Sequence, residues 1–212
     1  MKTTQEIREI TARLKALYPD AACSLDYRKD YELLITVRLA AQCTDERVNQ
    51  ISPALFARFP TLQAFAEADV EEVGKYVHSC GFWRAKSRDI VACAQMLSER
   101  FGGVVPDNME DLLSLPGVGR KTANLILGDI YGKEGYVCDT HCIRITGRLG
   151  ITDGSKDPVK VEQQLRKSIA PEEASDFCHR MVLHGRALCM ARNTKCGDCP
   201  LRELCDYPST VM

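Results

Sequence analysis

The run Leu112-Leu113-Ser114-Leu115-Pro116-Gly117-Val118-Gly119-Arg120-Lys121-Thr122-Ala123-Asn124 sets a lysine two residues beyond a Gly-x-Gly turn. Gly117 and Gly119 let the backbone bend sharply and let another backbone come close. The pattern predicts a helix over Met109–Ser114, a tight turn, and a second helix over Arg120–Tyr131. The first N–H groups of that second helix have no partner within it. Together with the helix dipole they can hold a phosphate without reading base sequence. Lys121 falls in the first turn, where the dipole disfavours an ammonium. A neutral amine there is a nucleophile that can form a Schiff base with a sugar aldehyde. Plainer readings exist: a bare Gly-x-Gly is an ordinary αα-hairpin, and a lone exposed lysine more often binds phosphate. The longer motif Leu-Pro-Gly-Val-Gly-Arg-Lys-Thr-Ala is more particular than either.

Two further constellations could do chemistry. Asp139, in Cys138-Asp139-Thr140-His141, stands where a helix begins, with Cys142, Ile145 and Leu149 on its apolar face. For an isolated aspartate there the default is a helix N-cap. A partly buried, ionised carboxylate could also stabilise positive charge developing at a sugar C1′, or handle protons. His141 has a supporting role at most. Near the C-terminus, Cys189, Cys196, Cys199 and Cys205 form a C-x6-C-x2-C-x5-C array. Four clustered thiolates suit zinc or an iron–sulfur cluster. The presence of a single C-x2-C pair leans toward iron–sulfur. The loop between the first two cysteines carries Arg192 and Lys195, which could touch phosphates or simply be solvated.

The elements that must position these residues read as helices nearly throughout. Ile7, Ile10, Leu14 and Leu17 make one stripe, ended by Pro19. Asp30 is placed to N-cap an apolar helix over Tyr31–Ala41, and Thr44 to cap the next. Asp69 opens a helix with Val70, Val73 and Val77 on one face. Ile90, Ala94, Leu97 and Phe101 mark a longer one, closed by Gly102. Asp157 and Pro158 start another. No run alternates as strands do, and there is no repeat, so the fold class is all-α.

Hydrophobic residues make up 45% of the 212, enough for a real core. No window approaches the ~20 uninterrupted apolar residues of a membrane span. The charged, amphipathic N-terminus lacks the apolar stretch of a secretory signal, which predicts an intracellular protein. Eleven cysteines, an odd number, fit a disulfide framework poorly. The seven outside the array read as small buried hydrophobes. A net charge of -1 argues mildly against nucleic acid. Basic residues at 84, 86 and 88, at 120 and 121, at 144 and 148, and at 186, 192 and 195 could still share one face.

With these motifs in hand, the chain resembles the endonuclease III family of the helix-hairpin-helix DNA glycosylase superfamily, over nearly its whole length. LPGVGRKTAN with Lys121, DTH with Asp139, the spacing of the cysteine array and the early segment YELLITVRLAAQCTD carry the resemblance. It implies two helical domains. Residues 23–133 would form a six-helix domain with the helix-hairpin-helix motif. Residues 1–22 plus 134–212 would form an iron–sulfur cluster domain holding [4Fe-4S]. The active site would lie in a cleft between them. The implied partner is double-stranded DNA with damaged pyrimidines or abasic sites. The implied reaction is base removal by Lys121, assisted by Asp139, followed by β-elimination on the 3′ side. Gly117, Gly119, Arg120, His141, Arg192 and Lys195 would contact DNA. Gln42 and Phe82 would fill the vacated stack, Phe82 standing where many relatives have leucine. The cluster would be structural. The protein would act as a monomer, in the cytoplasm and on the nucleoid if bacterial.

Competing readings explain less. A mismatch adenine glycosylase of the same superfamily lacks a lysine at the position of Lys121 and is longer. A non-catalytic, zinc-containing hairpin module leaves the pairing of Lys121 with Asp139 unused. A ferredoxin-like carrier leaves the hairpin unexplained.

Overall fold

A computed structural model describes residues 1–207, and every regular element among them is helical. The chain divides into two compact units. One is Cys23–Tyr131; the other is Met1–Ala22 with the chain from Gly132 onward.

The last unit begins with α1 (Thr4–Leu17), closed by a Thr3–Glu6 capping box. Ile7, Ile10 and Leu14 are buried as the stripe requires, but Leu17, the last helical residue, is 37% exposed.

The Cys23–Tyr131 unit holds α2 (Asp30–Ala40), α3 (Asp45–Arg58), α4 (Leu62–Ala66), α5 (Val70–Val77), α6 (Trp83–Phe101), α7 (Met109–Ser114) and α8 (Arg120–Asp129). Leu33, Leu34, Ile35 and Leu39 of α2 are all buried. A helix apolar on most sides belongs inside, and α3, α6 and α8 pack around it. The long α6 is the strut on which α4 and α5 lie. Side chains of Thr44, Thr61, Asp69 and Asn108 each accept a first-turn N–H of the helix that follows. Gly102 ends α6 in the left-handed conformation.

Two boundaries differ from the pattern. Asp30 is the first helical residue rather than the cap; Lys29 holds that position without a side-chain bond. The chain is closed from inside the turn instead, with Arg28 N–H donating to Glu32 Oε2 at 2.8 Å. Helix α8 stops at Asp129, short of Tyr131, whose hydroxyl donates to the Val105 carbonyl.

The other unit continues with α9 (Thr140–Leu149), α10 (Pro158–Ser168) and α11 (Ala174–Ala187). Helix α11 packs on both α1 and α9. At its start the buried Arg180 donates to Glu173 at 2.8 Å and to Asp176 at 2.7 Å. Lys15 reaches Glu173 from α1 at 2.7 Å, and Lys15 first, then Arg180, holds that carboxyl below its usual range. Asp157 caps α10, with Pro158 in its first turn. None of the described helices is long and apolar enough to cross a membrane.

Candidate functional site

The hairpin is seated from below. Leu112 and Leu115 are buried and anchor α7 and the turn. Gly117 has φ +75°, and a Cβ there would lie 2.9 Å from Arg38 Cδ and Nε and from Asp89 Cβ. Only glycine combines that backbone with that approach. Arg38 and Asp89 are themselves fixed as a half-buried ion pair, 2.6 Å at Nη2 and 2.7 Å at Nε. Gly119 then takes the N-cap position of α8 and has no side chain to close its first turn. The inner face of α8, Ala123 to Leu127, is buried, whereas Gly119, Arg120 and Lys121 are exposed. The hairpin therefore offers a helix N-terminus and an amine to solvent at one place.

Gln42 and Phe82 share a backbone peculiarity. Both are non-glycine residues in the left-handed region, with φ of 56° and 47°. Such conformations cost roughly 1–3 kcal/mol each and persist where surrounding structure imposes them. Both side chains are exposed, Phe82 to 68%. An open phenyl ring at the start of α6 is the shape of a wedge that enters a base stack. Lys86 holds the two segments together. Its side chain is 1% exposed, and its Nζ donates to the Leu39 carbonyl at 2.8 Å and the Cys80 carbonyl at 2.7 Å. That bridge ties the end of α2, just before Gln42, to the turn just before Phe82. Burial lowers the Lys86 pKa. Lys86 is thus a structural clamp, not a member of the basic surface that the charge pattern suggested.

Asp139 does what its position predicts: it N-caps α9, its Oδ1 accepting the Cys142 N–H at 2.7 Å. It is half-buried. Two residues on, His141 Nδ1 lies 3.1 Å from Arg144 Nη2. A Cβ at Gly185 of α11 would stand 2.3 Å from that same nitrogen. The imidazole is therefore wedged between α9 and α11, directly against Gly185. The absence of a side chain at Gly185, a position that no sequence motif marks, makes that approach feasible.

The four array cysteines line one cavity of about 20 Å³, walled also by Ile145, Leu149, Leu188 and Tyr207. His184 Nε2 lies 3.6 Å from Cys199 Sγ, and Arg148 Nη1 donates to Cys189 Sγ at 3.3 Å. Burial pushes the Cys205 thiol up to about 11 and raises Cys199 as well. A metal that took these sulfurs as thiolates would displace their protons. The donor set is sulfur only, the soft choice that zinc and iron–sulfur clusters share. Among the described residues, no three His, Cys, Asp or Glu side chains are arranged to hold a metal ion, so the array suits such a group by the chemistry of its four sulfur donors and not by a preformed coordination geometry. Arg148 also binds the Met190 and Ala191 carbonyls, at 2.7 and 3.2 Å, and Arg144 binds the Cys189 carbonyl at 3.0 Å. These two arginines staple the cysteine loop to α9 and so serve the fold. Arg192 and Lys195 are exposed on that loop.

The predicted residues thus fall into four groups: the hairpin, the two left-handed residues joined by Lys86, the start of α9, and the cysteine loop. Lys121 belongs to one compact unit and Asp139 to the other. Lys86 was hidden from sequence reading because a buried lysine among Arg84 and Arg88 looks like any surface charge.

Comparison with known proteins places these features in a family. Residues 35–171, which include both Lys121 and Asp139, match the model of the HhH-GPD superfamily base excision DNA repair proteins. Endonuclease III of Synechocystis sp. is 46% identical over 202 residues, 95% of this chain and 92% of that one. Endonuclease III of Escherichia coli (strain K12) is 37% identical over 203 residues, 96% of each. A solved complex described as a trapped endonuclease III–DNA covalent intermediate superposes with a TM-score of 0.93 at 38% identity, covering 99% of both chains. Sequence, fold and the exposed hairpin lysine agree: the chain belongs to the endonuclease III family, within the HhH-GPD superfamily of base excision DNA repair proteins.

Proposed function

We propose that the chain is a bifunctional DNA glycosylase and abasic-site lyase of base excision repair, acting on oxidised pyrimidines in double-stranded DNA. The observation that carries this reading is the exposed Lys121 amine on the first turn of an α8 that no side chain caps. The trapped covalent complex of a relative supports a covalent route.

The hairpin holds a backbone phosphate through the N-terminus of α8, without regard to sequence. The damaged nucleotide leaves the stack at a cost of ~ a few kcal/mol, least where pairing is already weakened. Gln42 and Phe82 occupy the space it leaves. Lys121 Nζ attacks C1′, and the C1′–N bond to the base breaks. The base departs with its electron pair and takes up a proton. The C1′–O4′ bond of the lysine adduct then opens to an iminium, O4′ taking up a proton, and loss of a proton from C2′ breaks the C3′–O bond, which cuts the strand as the phosphate leaves. Asp139 stabilises the positive charge at C1′ and the iminium, and accepts a proton from the attacking amine. Hydrolysis finally frees Lys121.

The cysteine loop fits a [4Fe-4S] cluster by its four sulfur donors around one cavity, with Arg148 beside Cys189. When bound, such a cluster supplies a rigid, negatively charged centre that orders the loop. Cys189, Cys196, Cys199 and Cys205 would hold it. Arg192 and Lys195 on that loop add phosphate contacts.

A duplex with one oxidised pyrimidine tests the reaction. We expect release of the free base together with a nick that leaves an unsaturated aldehyde on the 3′ end and a phosphate on the 5′ end. Base release leaving an intact strand would limit the protein to glycosylase chemistry. No release from any oxidised pyrimidine would overturn the reading.

A further inference from the structure

Tyr18 from the end of α1, His184 from the end of α11 and Cys199 from the cysteine loop meet in a chain of polar contacts. Tyr18 closes α1, its backbone N–H donating to the Leu14 carbonyl at 2.9 Å. Its hydroxyl lies 3.2 Å from Nδ1 of His184, and the two rings meet edge to face at 6.0 Å. The other ring nitrogen, Nε2, lies 3.6 Å from Cys199 Sγ. The His184 carbonyl also accepts the Cys189 N–H at 2.9 Å, so one residue touches two of the four array cysteines. Arg13, further back on α1, donates to the carbonyl of Pro200, the residue after Cys199, at 3.0 Å. Helix α1 therefore backs the loop around Cys199 from two positions.

We infer that Tyr18 is a positioning residue for the cluster of the cysteine array: its hydroxyl orients His184 so that Nε2–H donates to the Cys199 sulfur and raises the potential of the cluster. The inference rests on the cluster occupancy proposed above. His184 is 1% exposed, and its burial disfavours the charged ring. A neutral imidazole carries a proton on one nitrogen only. A sulfur bound to iron is a thiolate and has no proton to give. The contact between Nε2 and Cys199 is then a hydrogen bond only if the proton sits on Nε2. Nδ1 becomes the acceptor, and the Tyr18 hydroxyl is the donor beside it. Outer partners of this kind orient the groups that touch a metal centre. Each bond of the chain also polarises the next, so the hydroxyl strengthens the Nε2–H bond to sulfur. Hydrogen bonds to the sulfurs help set the potential of an iron–sulfur cluster. The reduced cluster carries one more negative charge than the oxidised one, so a donor at sulfur favours the reduced form. Without the hydroxyl, Nδ1 would be a buried acceptor left unpaired, which the ring relieves by turning away from Cys199.

The test uses the full-length protein as purified. Iron and acid-labile sulfide are assayed, and the midpoint potential is read by spectroelectrochemistry without DNA. Tyr18→Phe keeps the ring and its edge contact, so iron, sulfide and Tm should stay close to wild type. Its potential should become more negative. The reduced form is expected to lose about threefold or more against the oxidised one, or about 30 mV at about 59 mV per tenfold for one electron. His184→Gln sets an amide N–H near the place of Nε2–H and has no second ring nitrogen to satisfy. In that background Tyr18→Phe should leave the potential unmoved, as a double-mutant cycle requires of two residues that act together. A loaded Tyr18→Phe protein at the wild-type potential would overturn the inference and leave the cluster standing. So would an equal shift in both backgrounds, because the effect of Tyr18 would then not pass through His184. A wild-type protein without iron or sulfide would overturn the cluster itself, and the inference with it.

Discussion

Replacing Lys121 by glutamine is expected to abolish strand cleavage while binding to abasic-site DNA stays within a few-fold of wild type. The side chain is exposed on the first turn of α8, so the exchange leaves the buried face from Ala123 to Leu127 intact. Glutamine keeps much of the length and still donates hydrogen bonds. Its amide nitrogen cannot add to C1′, because its lone pair is delocalised into the carbonyl. Removing the nucleophile of a covalent mechanism typically lowers the rate by roughly a thousandfold or more. Single-turnover cleavage of an abasic-site duplex measures the loss, and a binding assay on the same duplex shows that the hairpin survives. Cleavage by Lys121→Gln at a near wild-type rate would put the nucleophile elsewhere.

Cys199→Ala should have the second-largest effect, on stability and binding together. Its sulfur is one of four around a single small cavity, and His184 lies against it. Metal affinity in such sites is part of the folding free energy, with structural zinc in small domains contributing on the order of 10 kcal/mol. Removing one donor of four forfeits much of that. We expect the purified variant to lose its iron, acid-labile sulfide and visible absorption. Its Tm should drop by roughly 10 °C or more for a chain of this size. The loop carrying Arg192 and Lys195 would lose its fixed course, so affinity for undamaged duplex should fall and depend less steeply on salt. A Cys199→Ala protein with wild-type iron content and an unshifted Tm would exclude that cysteine as a ligand.

Much of this was legible before any coordinates. Helical periodicity and the caps Thr44, Asp69 and Asp157 located most helices, because a cap is a local event settled by a few adjacent residues. The hairpin was legible for the same reason: its two glycines, the lysine and the helix start are contiguous. Asp30 was misplaced by one position because Glu32 closes the turn from within, a competition that capping rules do not rank. What stayed hidden depends on contacts between distant segments. Nothing near Lys86 in sequence says that its ammonium ends at the carbonyls of Leu39 and Cys80. Gly117 is required by Arg38 and Asp89, which lie 79 and 28 residues earlier (117 − 38 and 117 − 89). Gly185 is required by His141 in another helix. Arg144 and Arg148, grouped by charge with phosphate-binding residues, are spent on holding the backbone of the cysteine loop.

The covalent step is the claim from which the rest follows, and it can be caught directly. The protein is incubated with a duplex carrying one oxidised pyrimidine, borohydride is added, and the product is digested and sequenced by mass spectrometry. A reduced sugar remnant attached to the Lys121 amine, in the peptide that spans the hairpin, is the predicted result. An adduct on another residue, or free base and cut strand with no adduct at all, would contradict it.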